Sequence, residues 1–252
     1  MDSRIAERDF NHAYDSCVED GNGEDFFLDL VDGFLTPTTR LLDVGCGHGE
    51  LTLDLAPRVR STVGIDRTAQ LIELARELAA ERKVDNVRFK HAELAAPGES
   101  HAGGPLPLDD DSIDVVVDRR GPSVERFVDD LQRVGYPGTT IVGLHPAGGP
   151  PPPPWADDVP ALRERFNCVA PATVAAWVVQ PAEKRGLRSY RLWWIDVPEH
   201  LPDPKALYDK LCRDGTPPFE TVIGGLEEVF RRHAGADGVV LRHQRLVFTL
   251  TI

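Results

Sequence analysis

Three glycines lie in a short turn between an apolar run and an amphipathic stretch: Gly45, Gly47 and Gly49. Glycines at such a turn let the backbone bend tightly and approach a ligand without a Cβ in the way. The dinucleotide-binding pattern needs glycine at its sixth position, where this chain has Glu50. Asp43 and Glu50 place negative charge on both sides of the turn, which would repel a pyrophosphate. We therefore expect a ligand that is neutral or cationic at this end, and a nicotinamide oxidoreductase is disfavoured.

A second acidic residue, Asp66, ends the next apolar run at 61–65. A carboxylate at the tip of the strand beside the turn can accept hydrogen bonds from both hydroxyls of a ribose. S-adenosyl-L-methionine satisfies both requirements, because it joins an adenosine to an ammonium and a sulfonium group and carries no phosphate. The competing interpretation is that Asp66 is an exposed cap of the helix that begins near Thr68.

The elements that must position these residues alternate along the chain. Short runs rich in Val, Ile and Leu alternate with segments of helical periodicity, which indicates strand-helix units and a parallel sheet. The predicted strands span 40–44, 61–65, 86–90, 113–117, 139–144, 189–197 and 238–252. The predicted helices span 68–83, 123–134, 159–166, 171–185, 204–212 and 221–233.

The chain resembles the class I S-adenosylmethionine-dependent methyltransferases. The resemblance is carried by Leu42-Asp43-Val44-Gly45-Cys46-Gly47-His48-Gly49, by Val63-Gly64-Ile65-Asp66 and by the stretch 106–116. It covers about residues 38–146, and it implies an α/β, doubly wound (Rossmann-like) fold. The sheet would be mostly parallel and seven-stranded, with helices on both faces and an antiparallel last strand. We accordingly expect a helical cover over 1–37, in which His12 and Tyr14 form a lid, and a methyltransferase domain over 38–252, with acceptor-pocket elements within 146–235.

The same resemblance implies a set of cofactor-binding residues. The methionyl end of the cofactor would lie on Asp43 and on the turn, and Asp66 would hold the ribose. Arg67 would lie over the adenine, beside Glu93 and Leu94. The full expected set is Asp43, Gly45, Cys46, Gly47, Gly49, Asp66, Arg67, Glu93, Leu94, Asp118 and Arg119. The product of the reaction would be S-adenosyl-L-homocysteine.

Candidate catalytic residues follow the fourth and fifth predicted strands, because ligands in this fold collect at the carboxyl ends of the strands. Asp118 would accept a proton or steady the cofactor, and Arg119 or Arg120 would pair with a substrate carboxylate or phosphate. The competing interpretation is a local ion pair between this aspartate and one of the arginines. His145 ends the fifth strand, where an imidazole can act as a base. Methyl transfer depends mainly on alignment of the reacting atoms, so a dedicated base is not required.

Charge and composition narrow the classes of partner. With 41% hydrophobic residues the chain can bury a core, and its net charge of −13 opposes binding to nucleic acid and to anionic membranes. The expected acceptor is therefore a small molecule. Two alternatives stay open: an RNA methyltransferase, favoured by the basic clusters at 58–60 and 231–233, and a non-catalytic protein that binds the cofactor.

The cysteines and the apolar runs bear on location and metals. The four cysteines lie far apart, without the spacing of a zinc site or of a disulfide framework. No apolar run approaches the length of about 18 residues that could cross a bilayer. We expect a cytoplasmic protein without a bound metal, as a monomer or homodimer.

Overall fold

The computed structural model describes residues 24–94, 105–146, 150–166 and 168–252, and these form one seven-stranded sheet flanked by helices. The expected N-terminal cover lies largely outside them, as do His12 and Tyr14. Its described part is α1 (Glu24–Asp32), whose Phe27 and Val31 are buried against the sheet.

The first half of the chain is a regular alternation of strands and helices. The elements are β1 (Arg40–Val44), α2 (Glu50–Leu55), β2 (Ser61–Asp66), α3 (Ala69–Arg82) and β3 (Val87–His91). α3 forms because Leu71, Ile72, Leu74, Ala75, Leu78 and Ala79 recur at helical spacing and are all buried. Thr68 is at the N-cap position of α3, but its side chain makes no capping hydrogen bond.

The second half contains longer strands and shorter helical segments. The elements are β4 (Val115–Arg119), α4 (Val128–Val134), β5 (Thr140–Pro146), α5 (Pro171–Lys184), β6 (Ser189–Leu201), α6 (Pro204–Leu211), α7 (Phe219–His233) and β7 (Val239–Thr251). The helix predicted over 123–134 is divided, because Phe127 has a φ of −136° between a 3-10 turn at Val124–Arg126 and α4. The helix predicted over 159–166 is a 3-10 helix at Pro160–Arg165.

The strand order is β3-β2-β1-β4-β5-β7-β6, and it confirms the predicted doubly wound sheet. Every described pairing among β1 to β5 is parallel, whereas β7 pairs antiparallel with both β5 and β6. Pro146 at the end of β5 pairs with Arg245, so residues 239–244 of β7 and their partners in β6 continue beyond the carboxyl edge of the parallel strands. This two-stranded extension stands beside the edge where ligands bind in such sheets.

Helices cover both faces of the sheet. One face packs against α1 and α2 and is called the α1 face, and the other packs against α4 and α5. A separate apolar cluster holds α6, α7 and the 3-10 segments 154–165 against the extension of β6 and β7. We call this unit, residues 154–166 and 201–241, the cap. No helix within the described ranges is long and apolar enough to span a membrane.

Candidate active site

A cavity of about 650 Å³ opens at the carboxyl ends of β1, β2 and β4. Its lining includes most of the residues predicted to bind the cofactor: Asp43, Gly45, Cys46, Gly47, Asp66, Arg67, Glu93, Leu94 and Arg119. It does not include Gly49, Asp118 or His145. The cavity is therefore built where the sequence predicts a nucleoside site.

The three glycines of the turn share a backbone conformation but differ in what a side chain there would meet. All have positive φ: 77° at Gly45, 55° at Gly47 and 81° at Gly49. A Cβ on Gly47 would meet no atom within 4 Å, whereas a Cβ on Gly45 would lie 2.7 Å from the Cα of Gly121. A Cβ on Gly49 would lie 2.6 Å from the Cζ atom of Phe89. The structure thus places Gly49 in the packing beneath the turn and Gly47 at the cavity.

Asp66 is held by the turn that it faces. Its Oδ2 atom accepts a hydrogen bond from the backbone N of Gly47 at 3.0 Å, and its Oδ1 atom accepts one from the backbone N of Thr68 at 2.8 Å. The backbone N atoms of Gly45 and Cys46 donate to the carbonyl of Ile65 at 2.8 and 3.0 Å. These bonds fix the carboxylate at the cavity wall, where each oxygen has a further lone pair for a ligand.

Asp43 is buried at the end of β1, with 2% of its surface exposed. Its Oδ2 atom accepts a hydrogen bond of 2.5 Å from the Thr52 hydroxyl of α2. Burial raises the pKa of Asp43 to about 6, although the Thr52 hydrogen bond and the charge of Arg119 oppose the shift. A cationic group that entered the cavity would stabilise the ionised form of this carboxyl.

The segment after β3 lines the end of the cavity that is farthest from α1. Glu93 and Leu94 line it, and the Nη1 atom of Arg126 donates to the Leu94 carbonyl at 3.0 Å. Arg126 also lines the cavity, and the sequence analysis missed it. It follows β4 in the 3-10 turn, where no motif indicates its position.

Two arginines at the end of β4 form a charged network on the side of the cavity next to α1 and α2. The Nη1 atom of Arg119 lies 3.1 Å from Glu24, and its Nη2 atom lies 3.1 Å from Glu50. Arg120, which has a φ of 62°, also binds Glu24. Glu24 in α1 is a cavity residue that sequence reasoning missed, because only the fold brings it to β4. Both arginines are thus held in ion pairs, as the competing interpretation expects, but with glutamates of α1 and α2 and not with Asp118.

The two candidate catalytic residues lie together, beside the cavity. Asp118 is fully buried, and its Oδ1 atom accepts a hydrogen bond of 3.0 Å from the backbone N of Gly121. Its Oδ2 atom lies 3.2 Å from the Nε2 atom of His145 but is not aligned for a hydrogen bond. The His145 ring stacks on Phe248, with centroids 5.5 Å apart. This pair faces away from the α1 face.

The 3-2-1-4-5-7-6 sheet and the acidic cavity at its glycine turn define a Rossmann-like, nucleoside-binding class of protein. A family model described as "Methyltransferase domain" matches residues 35–223. The chain belongs to the class I S-adenosylmethionine-dependent methyltransferase family.

Relatives in sequence match less than half of the chain. It is 33% identical over 97 residues to "Uncharacterized methyltransferase YcgJ" of Bacillus subtilis, which covers 38% of this chain and 35% of the relative. It is 27% identical over 108 residues to the 23S rRNA (uracil(1939)-C(5))-methyltransferase RlmD of Vibrio parahaemolyticus, which covers 43% of this chain and 24% of the relative. The chain thus spans about a third and about a quarter of these two relatives.

Solved structures share the fold over most of the chain. The YcgJ structure matches with a TM-score of 0.58 at 19% identity, covering 90% of this chain and 98% of YcgJ. Geranyl diphosphate C-methyltransferase from Streptomyces coelicolor, solved with geranyl diphosphate and S-adenosyl-L-homocysteine, matches with a TM-score of 0.53 at 16% identity. That match covers 91% of this chain and 78% of the other.

Proposed function

We propose that this chain transfers a methyl group from S-adenosyl-L-methionine to an oxygen or nitrogen atom of a small-molecule acceptor. The observation that carries the proposal is the pair of carboxylates, Asp43 and Asp66, on either side of the open backbone at Gly47. This wall favours a ligand with cationic groups and a ribose, and it disfavours a phosphate.

The residues of the cavity fit the cofactor along its length. Asp66 would accept the ribose hydroxyls, Asp43 would face the ammonium group, and Arg67, Glu93 and Leu94 would surround the adenine. Arg119 would approach the methionyl carboxylate, in exchange for one of its two glutamates. The bound cofactor supplies a methyl group that its sulfonium activates. The cavity would hold that methyl group toward the ends of β4 and β5.

His145 and Asp118 are the residues that we propose for proton removal. His145 would accept the proton that leaves the acceptor's hydroxyl or amine, and the buried Asp118 would orient the imidazole. Their separation of 3.2 Å supports this pairing. A His145→Gln variant that keeps cofactor affinity and loses turnover would fit the role, and unchanged turnover would exclude it.

The cap supports an acceptor that is a small molecule. It packs on the part of β6 and β7 that extends beyond the carboxyl edge, and it would form the wall of the acceptor pocket, as expected for elements within 146–235. The alternative of an RNA acceptor rests on the names of relatives such as RlmD. Three arginines of the basic clusters that favoured it are paired with carboxylates: Arg58 with Asp32, Arg231 with Glu228 and Arg232 with Asp158. Paired arginines attract a phosphate backbone less strongly.

Calorimetric titration with S-adenosyl-L-homocysteine, and separately with NAD, tests the cofactor. We expect S-adenosyl-L-homocysteine to bind and NAD not to bind. Asp66→Ala should weaken binding by about 30-fold, since hydrogen bonds to a charged group contribute about 2 kcal/mol. Asp54→Ala is the matched control, because Asp54 is exposed on α2 and pairs with Arg82. Binding of NAD, or no binding of either compound, would overturn the proposal.

Turnover separates the enzyme from its alternatives. Transfer of a labelled methyl group to members of a panel of small hydroxyl and amine compounds is the expected result. Cofactor binding without transfer across the panel would favour the non-catalytic protein. Labelling of RNA together with a steep salt dependence of RNA binding would favour the RNA methyltransferase.

A further inference from the structure

A buried arginine lies at the boundary between the parallel sheet and the cap. Arg245 of β7 pairs with Pro146 at the end of β5, and only 7% of its surface is exposed. It points to the same face as Val247, which packs in the cluster of the α1 face, because alternate residues of a strand share a face. The side chain therefore lies on the side of α1 and Glu24, at the edge where this fold binds ligands.

Arg245 has few partners for a buried guanidinium. Its Nη1 atom donates to the carbonyl of the neighbouring Gln244 at 3.3 Å, and its Nε atom has no hydrogen-bond partner. Within the described ranges, no carboxylate oxygen lies within ion-pair distance of it. A planar guanidinium with five donors normally binds an oxyanion through two of them when it is buried.

The neighbouring carboxylates already have other partners. Glu24 binds both Arg119 and Arg120. Glu199 accepts from Lys210 at 2.7 Å and lies 2.6 Å from the Nε2 atom of His243. Both glutamates act on Arg245 only at a distance, where they raise its pKa, while burial and the charge of Arg120 lower it. The net effect is a lowered pKa, so the positive charge here is not fully compensated.

We propose that Arg245, with Arg120 beside it, binds a carboxylate or phosphate group of the methyl acceptor. Arg120 lines the cofactor cavity, and its charge acts on Arg245, which lies where β7 leaves the end of β5 for the cap. An acceptor bound between the cavity and the cap would meet both guanidiniums. An oxyanion there would give the buried guanidinium a bidentate partner. The chain as a whole has a net charge of −13, so a local positive site would favour acidic acceptors over neutral ones only at this place on the molecule. That the bound acid is the acceptor rests on the proposed function, whereas the anion site itself does not.

Thermal unfolding with added anions tests the site. The protein is saturated with S-adenosyl-L-homocysteine and titrated with potassium phosphate or potassium acetate, against potassium chloride at the same ionic strength. The wild-type Tm should rise saturably with phosphate or acetate beyond the chloride effect, and the stronger of the two indicates which oxyanion the site prefers. Arg245→Gln should weaken this response at least tenfold and leave the affinity for S-adenosyl-L-homocysteine unchanged. Arg242→Gln, an exposed arginine three residues away on β7, should respond like the wild type.

The anion-free Tm distinguishes binding from a structural role. If Arg245 is an uncompensated buried charge, the Tm of Arg245→Gln should equal or exceed that of the wild type. If Arg245 instead stabilises the fold through its contacts, the variant should have a lower Tm. Arg245→Lys keeps the positive charge but cannot bind an oxyanion through two parallel N–H groups, so it should retain a weaker response. This variant replaces Arg245→Gln in the test if the glutamine variant does not fold.

Two results would overturn the site: a wild-type response to phosphate and acetate no greater than to chloride, or a full response in Arg245→Gln. Loss of S-adenosyl-L-homocysteine binding in the wild type, with the anion response intact, would instead overturn the proposed function and leave the anion site standing.

Discussion

The two sides of the candidate active site are held by contacts of different range. On the side of β1 to β3, Gly47 and Asp66 are 19 residues apart in sequence, and Asp43 and Thr52 are 9 apart. On the side of β4 to β7, Arg119 and Glu24 are 95 apart, and Glu199 and His243 are 44 apart. The first side uses backbone groups and two carboxylates, and the second uses long charged side chains.

The difference matches what each side must do. A backbone turn with adjacent acids suits a ligand that a whole family shares, because it tolerates variation elsewhere in the chain. Side chains from distant elements suit a ligand that changes from one member to the next, since each can be replaced without rebuilding the turn. We therefore expect substitutions on the second side to change stability or acceptor binding while cofactor binding persists.

Glu199→Gln should have the largest effect on stability. It leaves Lys210 half-buried beside a buried His243, and breaking a buried ion pair costs about 4 kcal/mol. Burial raises the pKa of Glu199, but His243 and Lys210 lower it by more, so the net result is a pKa of about 2. The ionised group therefore stabilises the fold above its ordinary pKa of 4.5, and this contribution is lost as the pH falls toward 2.

Urea denaturation of Glu199→Gln and wild type at several pH values measures this effect. The deficit should be largest near neutral pH and should shrink in acid, while affinity for S-adenosyl-L-homocysteine stays the same. Glu228→Gln, an exposed glutamate paired with Arg231, should behave like the wild type. A parallel loss of cofactor affinity would show that the two sides are not independent.

Asp43→Asn should stabilise the protein without ligand. Burial raises the pKa of Asp43 from 3.8 to about 6. Because each pKa unit corresponds to about 1.36 kcal/mol, ionisation of Asp43 lowers the free energy of unfolding above pH 6 by about 3 kcal/mol. Stability of the wild type should fall as the pH rises from 4 through 6, because the folded state binds the proton more tightly. Asparagine removes this dependence and keeps an acceptor for Thr52.

Urea denaturation between pH 4 and pH 8 checks this prediction. The two stability curves should meet near pH 4, separate between pH 4 and pH 6 and stay apart above pH 6, and affinity for S-adenosyl-L-homocysteine should fall in the variant. Asp54→Asn, exposed on α2 two residues after Thr52, is the control. A variant that is less stable than the wild type at pH 8 would contradict the assignment of a strained, functional carboxyl.

Gly121→Ala tests the junction of the two sides. A Cβ on Gly121 would overlap the Oδ1 atom of Asp118 and the carbonyl oxygen of Val44. We expect a loss of about 2 kcal/mol from overpacking, together with a loss of cofactor affinity as the adjacent turn at Gly45 shifts. Gly224→Ala in α7, where a Cβ would meet no atom within 4 Å, should instead stabilise by about 0.5 kcal/mol. Urea denaturation and calorimetry of both variants would reveal whether the contrast holds.

Arg58→Gln should have the smallest effect. Arg58 lies 2.5 Å from Asp32 on the surface, and exposed ion pairs contribute about 0.5 kcal/mol or less. Filter binding of a labelled RNA fragment at 150 mM salt, about the physiological ionic strength, should show the same weak retention for both proteins. Markedly lower retention of RNA by Arg58→Gln than by the wild type would favour the RNA methyltransferase and would place an RNA-binding surface at Arg58.

The sequence predicted the parts of the structure that local contacts determine. The seven strands follow from periodicity, and the site at Gly47 and Asp66 follows from the glycine turn and the acid after the next strand. The doubly wound order was implied by the family resemblance. Gly49 belongs to the glycine turn, yet it packs on Phe89, 40 residues further on, and no local pattern shows that. Glu24, Arg126 and Arg245 were not predicted either, because a charged side chain outside a motif gives no sign of where folding will place it.

The position of β7 has a consequence for the order of folding. β7 follows every other strand in this sequence but lies between β5 and β6, and β6 has no other strand partner in the described sheet. A chain that emerges from the ribosome in sequence can pair β1 to β5, but it carries the 13 residues of β6 unpaired until β7 arrives. Contacts of such long range slow folding and expose an edge that other chains can pair with. Refolding should therefore form the β1 to β5 half first, and aggregation should begin at β6.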